Sequence, residues 1–154
     1  MQFREHDEYM KTALMYAHEA ANAGEIPVGC VIVCEGKIIA SGANRVKESG
    51  LQHRHAEMAA LEQAATVLKS QGLENCTLYT TLEPCGMCSG AIAHYRVGQV
   101  VFGAYDTQYG CMFSKMDLCK IMGHKTVCIG GVLEDECSDI LKKFFDSMRK
   151  STGK

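Results

Sequence analysis

The chain has 154 residues and a formal net charge of −2, with 47% of its residues hydrophobic and 22% charged. This balance is typical of an ordinary globular protein that is long enough to bury a core. It excludes a polyelectrolyte surface, so a nucleic-acid partner would have to meet a local basic patch. With no linker, low-complexity tract or internal repeat in the sequence, residues 1–154 are expected to form a single domain.

Export and membrane insertion are not predicted. The first ten residues are rich in charge and no apolar segment follows them, which is not the pattern of a signal peptide. No stretch approaches the roughly 20 apolar residues that a membrane helix needs. Nine cysteines are an odd number, and most of them lie in apolar segments. A reducing cytoplasm explains this usage better than a disulfide framework, so a cytoplasmic location is expected.

The hydrophobic pattern predicts a hairpin early in the chain and an alternation of strands and helices after it. Helices are expected over residues 6–23, 56–68, 84–94, 116–122 and 134–149, and strands over residues 28–34, 37–40, 77–82, 97–104 and 126–132. This order predicts a three-layer α/β/α sandwich with a central mixed five-stranded sheet. In such folds ligands bind at the ends of strands, where helices begin.

Two short motifs at predicted helix starts carry side chains that bind metals. The first is His55-Ala56-Glu57, and the second is Pro84-Cys85-Gly86-Met87-Cys88. Cys85 and Cys88, three positions apart on a helix, project from one face, and their thiolates are favoured by the positive helix N-terminus. Pro84 is expected in the first turn of that helix, where its missing N–H costs nothing.

His55, Cys85 and Cys88 together suit a catalytic Zn²⁺, because three such ligands leave the fourth tetrahedral position open for water. Glu57 follows the histidine by two residues and can take a proton from that water and hand it to a ring nitrogen and to departing ammonia. The pair H-x-E and P-C-x-x-C is the signature described for zinc deaminases. The motifs therefore predict hydrolytic deamination of a nucleobase, with Glu57 as the catalytic residue.

Other interpretations of these motifs fit less well. A lone CxxC is also typical of a redox dithiol or of half a structural zinc site. A redox dithiol leaves the His55 motif without a role, and a four-cysteine zinc site lacks a second CxxC. His53 is a rival ligand, but only His55 has a glutamate two residues later. A non-catalytic partner subunit is a third class, against which the presence of Glu57 argues.

At these motifs the sequence resembles bacterial tRNA-specific adenosine deaminases, and the resemblance covers almost the whole chain. The segments that carry it are Glu25-Ile26-Pro27-Val28-Gly29-Cys30, Asn44, Arg54-His55-Ala56-Glu57, residues 80–91, residues 100–104, Asp135-Glu136-Cys137 and Phe144-Phe145. The resemblance implies a cytidine deaminase-like fold, a homodimer, Zn²⁺ as cofactor, and adenosine at the wobble position of a tRNA anticodon loop as substrate.

The resemblance also implies a substrate pocket. In that family the asparagine matching Asn44 contacts the nucleoside, and the turn matching Pro27-Val28-Gly29 forms a wall of the base pocket. The aspartate matching Asp106 lies in a loop that faces the substrate. Phe145 is a further candidate, as an aromatic side chain that could stack on a base. A tRNA substrate also predicts basic side chains beside the site, with Arg45, Lys47, Arg54, Lys115 and Lys120 as candidates.

Two loops depart from the family pattern and leave the substrate open. Leu51-Gln52-His53-Arg54 stands where the family usually has Asp-Pro-Thr-Ala, and bulky side chains in residues 107–114 replace a lysine and small residues. Such side chains could fill a groove for an anticodon loop or cap a pocket over a small base. The alternative is therefore deamination of a free nucleobase or nucleoside (guanine, cytosine or adenine), since yeast-type cytosine deaminase and bacterial guanine deaminase share the zinc motif and the asparagine.

Overall fold

The computed structural model describes residues 2–152 of the chain. In chain order its elements are α1 (Gln2–Asn22), β1 (Gly29–Cys34), β2 (Lys37–Ala43), α2 (Val46–Ser49), α3 (Ala56–Leu68), β3 (Cys76–Leu82), α4 (Gly86–His94), β4 (Gln99–Ala104), α5 (Leu118–Ile121), β5 (Val127–Ile129) and α6 (Glu134–Thr152). Within these residues, no helix combines the length and the apolar character needed to cross a membrane.

The strands form one sheet in the order β2-β1-β3-β4-β5. β1 is antiparallel to both β2 and β3, whereas β3, β4 and β5 run parallel to one another. The β1–β2 hairpin turns at Glu35 and Gly36, both with positive φ, which is the backbone geometry of a tight hairpin turn. The predicted mixed five-stranded sheet is therefore confirmed.

Helices cover both faces of the sheet. Alternate residues of β1 point to opposite faces, with Cys30 and Ile32 in one core cluster and Val31 and Val33 in the other. The first cluster includes residues of α3 and α4, and the second includes residues of α1 and α6. The result is the expected α/β/α sandwich, in which α3 and α4 share one face.

Two glycines allow helices to approach the sheet closely. A Cβ at Gly42 would overlap the carbonyl oxygen of Ala56, in the first turn of α3, and a Cβ at Gly29 would overlap the carbonyl oxygen of Ala13 in α1. Any larger residue at these positions would push the helix away from the sheet. Gly42 therefore helps to set where α3 begins.

The structure contains one helix that was not expected from the sequence, and it corrects two expected boundaries. α2 was not predicted, since four residues are too short for a hydrophobic period. Pro84 lies outside α4, which begins at Gly86 with Cys85 as its N-cap. The chain stays extended there because the Pro84 carbonyl accepts a hydrogen bond from Cys111 N, and Cys85 forms a β-bridge with Gly110. β5 is also shorter than residues 126–132, spanning Val127–Ile129.

Candidate active site

Two helix N-termini meet at the candidate site. His55 is the N-cap of α3 and Cys85 is the N-cap of α4, and both have extended backbone conformations. An N-cap side chain usually accepts a hydrogen bond from its own helix, but neither of these does. Both side chains are thus free to face each other, and Cys88 joins them from the first turn of α4.

The three predicted metal ligands lie together. Nδ1 of His55 is 3.4 Å from Sγ of Cys88 and 3.7 Å from Sγ of Cys85. Among residues 2–152, these three form the one group of histidine, cysteine or acidic side chains whose ligand atoms all lie within 4.8 Å of one another. His53, the rival considered from the sequence, is exposed and lies outside this group.

Hydrogen bonds couple the three donors to one another. A hydrogen bond from the Cys88 thiol, together with one from His55, lowers the pKa of Cys85 to about 4. The pKa of Cys88 is raised far above its ordinary value by the same hydrogen bond to Cys85 and by burial. The pKa of His55 is raised by its own hydrogen bond with Cys85. Zn²⁺ binds thiolate sulfur and neutral imidazole nitrogen, so a bound ion would take the place of the protons on Cys88 and His55. One imidazole nitrogen and two sulfurs are a donor set that Zn²⁺ prefers, so these residues fit that ion.

Glu57 lies in the first turn of α3 and is only 4% exposed. In the part of the chain that the structure describes, its Oε1 is the one fully buried side-chain oxygen or nitrogen without a hydrogen-bond partner. Burial raises the pKa of this carboxyl. The pKa of Cys30 in β1 is raised mainly by the burial of its own thiol and also by the negative charge of Glu57. A buried acceptor without a partner beside a metal-type donor set suits a group that receives a proton from water or substrate.

Several of the other candidate residues lie at one edge of the sheet. Because β1 is antiparallel to β2 and β3, the start of β1 lies at the same edge as the ends of β2, β3 and β4. Val28 precedes β1, Asn44 follows β2 and Asp106 follows β4 shortly after its end. The Asn44 N–H donates to the Val28 carbonyl at 3.1 Å, which joins two of these positions directly. Their placement fits a pocket at this edge.

Other contacts show how these residues are used within the fold. The Gly29 N–H donates to Thr81 Oγ1 at 3.1 Å. The Asp106 carboxylate accepts hydrogen bonds from the backbone N–H groups of Gln108 and Tyr109 at 3.1 and 3.0 Å, so it shapes its own loop. Phe145 lies on α6, which packs against β4 on the sheet face opposite α3 and α4. Substrate contact stays a prediction for all six candidates, which are Asn44, Pro27, Val28, Gly29, Asp106 and Phe145.

Two buried carboxylates near the site were missed by sequence reasoning. Glu25 is buried and accepts hydrogen bonds from the backbone N–H groups of Lys47 and Glu48 at the start of α2. Glu83 is 1% exposed and accepts hydrogen bonds from residues in the 106–114 loop. Burial alone would raise the pKa of Glu83, but the hydrogen bonds from that loop outweigh it and lower the pKa. For Glu83 the available signal was a charged residue directly after an apolar strand, whereas Glu25 lies in the connection between α1 and β1 and had no such signal.

Two of the five candidate basic side chains form ion pairs with nearby carboxylates. Arg45 pairs with Glu48 at 3.9 Å, and Arg54 pairs with Glu62 at 3.4 Å. All four side chains are largely exposed, so these pairs contribute little to stability. They do place two arginines on the segment that leads from β2 to α3.

Residues 3–104 match the family model described as the cytidine and deoxycytidylate deaminase zinc-binding region. This span contains His55, Glu57, Cys85 and Cys88. The chain belongs to the cytidine and deoxycytidylate deaminase family. The deaminase is also 42% identical to the tRNA-specific adenosine deaminase of Bacillus subtilis (strain 168). The alignment spans 144 residues and covers 92% of this chain and 89% of that relative.

Two solved structures extend the likeness. One comes from studies of A-to-I editing by tRNA:A34 deaminases at the wobble position of transfer RNA. It is 34% identical, with a TM-score of 0.84 over 87% of this deaminase and 99% of that chain. The other is a guanine deaminase from Bacillus subtilis, 40% identical with a TM-score of 0.63 over 75% of this deaminase and 69% of that chain. The predictions of fold class, zinc cofactor and hydrolytic deaminase activity are therefore confirmed.

Proposed function

We propose that this deaminase converts adenosine to inosine at the wobble position of tRNA. The observation that carries the deamination chemistry is the unpartnered, buried Oε1 of Glu57 beside the donor set of His55, Cys85 and Cys88. The choice of substrate is supported by the relatives named for tRNA, of which the Bacillus subtilis protein matches along most of both chains.

In this mechanism His55, Cys85 and Cys88 would hold Zn²⁺, which when bound supplies Lewis acidity that lowers the pKa of water. Glu57 Oε1 takes a proton from the attacking water and gives it to N1 of the adenine ring. A C–O bond forms at C6, and the new C6 hydroxyl then gives its proton to Glu57 as its oxygen becomes the carbonyl of inosine. Glu57 passes this second proton to the amino group, which leaves as ammonia when the C6–N bond breaks. Because burial raises the Glu57 pKa, the carboxyl holds the proton more readily between these transfers.

Substrate binding would use the edge of the sheet described above. The Pro27-Val28-Gly29 turn would form one wall, Asn44 would contact the nucleoside, and the loop after Asp106 would face the nucleotides around it. Asn44 and Val28 support this arrangement through their backbone hydrogen bond. Phe145 would contribute by stacking on a base, since its ring is exposed and packs edge-on against Phe144.

The second candidate is deamination of a free base, which the 40% identity to a guanine deaminase favours. This alternative predicts that the bulky side chains of residues 107–114 close a pocket over the base. In the structure Tyr109 is 62% exposed and Phe113 is 71% exposed. Side chains this open to solvent are better placed to stack on bases of a large substrate than to enclose a small one.

The test is ammonia release from a panel of substrates under identical conditions. The panel holds tRNA with adenosine at the wobble position, the same tRNA with guanosine there, free adenosine, and the free bases adenine, guanine and cytosine. Glu57→Gln with bound zinc serves as the inactive control. We expect turnover of the adenosine-containing tRNA alone. Turnover of a free base without any on tRNA would overturn the proposal.

We also propose that the chain is a single domain that works as a homodimer in the cytoplasm, where a tRNA substrate is found. Exposed apolar side chains on α4 and around α5 support a dimer, since a monomer rarely leaves such side chains grouped in water. They are Met87, Met116, Ile121 and Met122. Sedimentation velocity should give twice the chain mass, and Ile121→Lys should shift the protein towards the monomer.

A further inference from the structure

The Glu83 carboxylate is surrounded by hydrogen-bond donors from one loop. Oε1 accepts from the backbone N–H of Asp106 at 3.0 Å and from the hydroxyl of Ser114. Oε2 accepts from the N–H groups of Met112, Phe113 and Ser114 at 3.3, 2.9 and 2.8 Å. Residues 106–114 are here called the clamp loop. Hydrogen-bond donors at both ends of this loop thus bond to a single side chain, Glu83.

Only a carboxylate suits this position. It accepts hydrogen bonds at both oxygens and donates none, whereas an amide would turn two N–H groups towards the backbone N–H groups of the loop. A buried carboxylate without partners would be strongly unfavourable, so the clamp loop and Glu83 depend on each other. The loop contains no helix or strand, and its internal hydrogen bonds from backbone N–H groups involve residues 106–110. Glu83 accepts from the donors of residues 112–114 and so holds the second half of the loop.

The clamp loop is also attached to the helix that carries two metal ligands. Cys111 N donates to the Pro84 carbonyl at 2.9 Å, and Gly110 forms a β-bridge with Cys85. A Cβ at Gly110 would overlap the Glu83 carboxylate and crowd the Asp106 carbonyl, so glycine is needed for the loop to lie this close. Glu83 therefore joins β3, the start of α4 and the clamp loop at one point.

The clamp loop presents two aromatic rings to solvent beside this junction. The Tyr109 N–H is bonded to the Asp106 carboxylate, and the Phe113 N–H is bonded to Glu83. Their rings are largely exposed, and the Phe113 ring packs edge-on against Tyr105. The backbone contacts thus fix where these rings can meet an unstacked base.

We propose that Glu83 is a positioning residue that sets the clamp loop relative to the metal ligands and thereby determines the affinity for the nucleotides flanking the reacting adenosine. It acts through the loop and touches neither substrate nor metal. The kinetic part of this inference rests on the proposed tRNA function, whereas the structural part does not.

The experiment compares Glu83→Gln and Gly110→Ala in the full-length, zinc-loaded protein. The first removes the acceptor and the second displaces the loop while the carboxylate stays. We expect both to increase deuterium uptake at the amides of residues 106–114 and to raise KM for the wobble-adenosine tRNA about tenfold, which corresponds to one or two lost hydrogen bonds. Zinc content and kcat should stay close to wild type.

Ser114→Ala provides a milder variant, because it removes one hydroxyl donor and keeps the backbone donors. Its KM should lie between those of the wild type and Glu83→Gln, and it keeps the test open if Glu83→Gln does not fold. Leu73→Ala is the matched control for stability, since Leu73 is buried before the start of β3, at the opposite edge of the sheet. It should lower Tm without altering KM or exchange in the clamp loop.

Unchanged exchange in residues 106–114 of Glu83→Gln would overturn the inference, as would loss of zinc from that variant. A KM equal to that of Leu73→Ala would also overturn it, because a general loss of stability would then account for the effect. If the wild type deaminates no tRNA, the proposed function fails, while the exchange measurements still decide whether Glu83 holds the loop.

Discussion

Two segments at the active-site edge are each held by a buried glutamate, but they depend on it to different degrees. Glu25 accepts hydrogen bonds from Lys47 N and Glu48 N at 2.8 and 2.7 Å, which are the free N–H groups at the start of α2. Arg45, the N-cap of α2, makes no side-chain cap, so Glu25 takes over that role from another part of the chain. Beyond this contact, α2 has its own helical hydrogen bonds.

The clamp loop contains no helix or strand. Its internal hydrogen bonds from backbone N–H groups run from residues 108–110 to Asp106, whereas Glu83 accepts hydrogen bonds from both of its ends. The comparison shows that a buried carboxylate can either cap a short helix or hold a loop that has no regular secondary structure. The segment with less structure of its own is also the one bonded to the helix of Cys85 and Cys88. We expect damage to the clamp loop to raise KM more than equal damage near α2.

The largest effect should come from Glu57, the buried carboxyl beside the metal ligands. Glu57→Gln removes the proton carrier and should reduce kcat by about a thousandfold, within the usual range for general acid–base groups. Zinc content, measured by mass spectrometry of the native protein, should be unchanged. Deuterium uptake in residues 45–50 and 106–114 should also match wild type, since neither segment is bonded to Glu57. Surviving activity would show that Glu57 is not the proton carrier.

Removal of the metal should separate chemistry from loop structure. Chelation should abolish turnover. Adding zinc should restore turnover, with a zinc content of about one ion per chain. Because Glu25 and Glu83 hold their segments through protein groups alone, we expect deuterium uptake in both segments to remain low without metal. Cys88→Ala should behave in the same way but should not recover when zinc is added. Loss of protection in both segments on chelation would show that the metal, and not the carboxylates, orders them.

Glu25→Gln tests the comparison directly. One of the two acceptors becomes a donor, so we expect the free energy of unfolding to fall by about 1–3 kcal/mol. Increased exchange should be confined to residues 45–50, with at most a small rise in KM. Thermal unfolding measures the stability, peptide-level hydrogen exchange measures the local opening, and steady-state kinetics give KM. Glu83→Gln is measured in parallel for comparison. Equal changes in KM for the two variants would contradict the difference drawn between the segments.

The smallest effect is expected at Gly50, which ends α2 with φ of 71° and has open space where a Cβ would lie. Gly50→Ala should lower the free energy of unfolding by about 1 kcal/mol, because alanine adopts this conformation less readily than glycine. Gly50→Asn should cost less, since asparagine tolerates it better. Both are measured by denaturant unfolding, and neither variant should change KM.

Much of the fold follows from local sequence pattern. The hairpin, the alternation of strands and helices, and the helix that begins after His55 were all anticipated, because periods of two and 3.6 residues depend on neighbours in the chain. The length of β5 was overestimated, since Gly131 takes a positive φ soon after it. α2 escaped prediction because its cap, Glu25, lies more than 20 residues earlier.

By itself the sequence determined the chemistry, since His55-Ala56-Glu57 and Cys85 with Cys88 carry their spacing within single helix turns. Only the tertiary structure decided how the surroundings are held. The partners of Glu83 lie 23 to 31 positions away, and Pro84 stays outside α4 because Cys111 and Gly110 pair with the chain there. Such contacts depend on which strands lie side by side, and a local hydrophobic period does not determine the order of the strands.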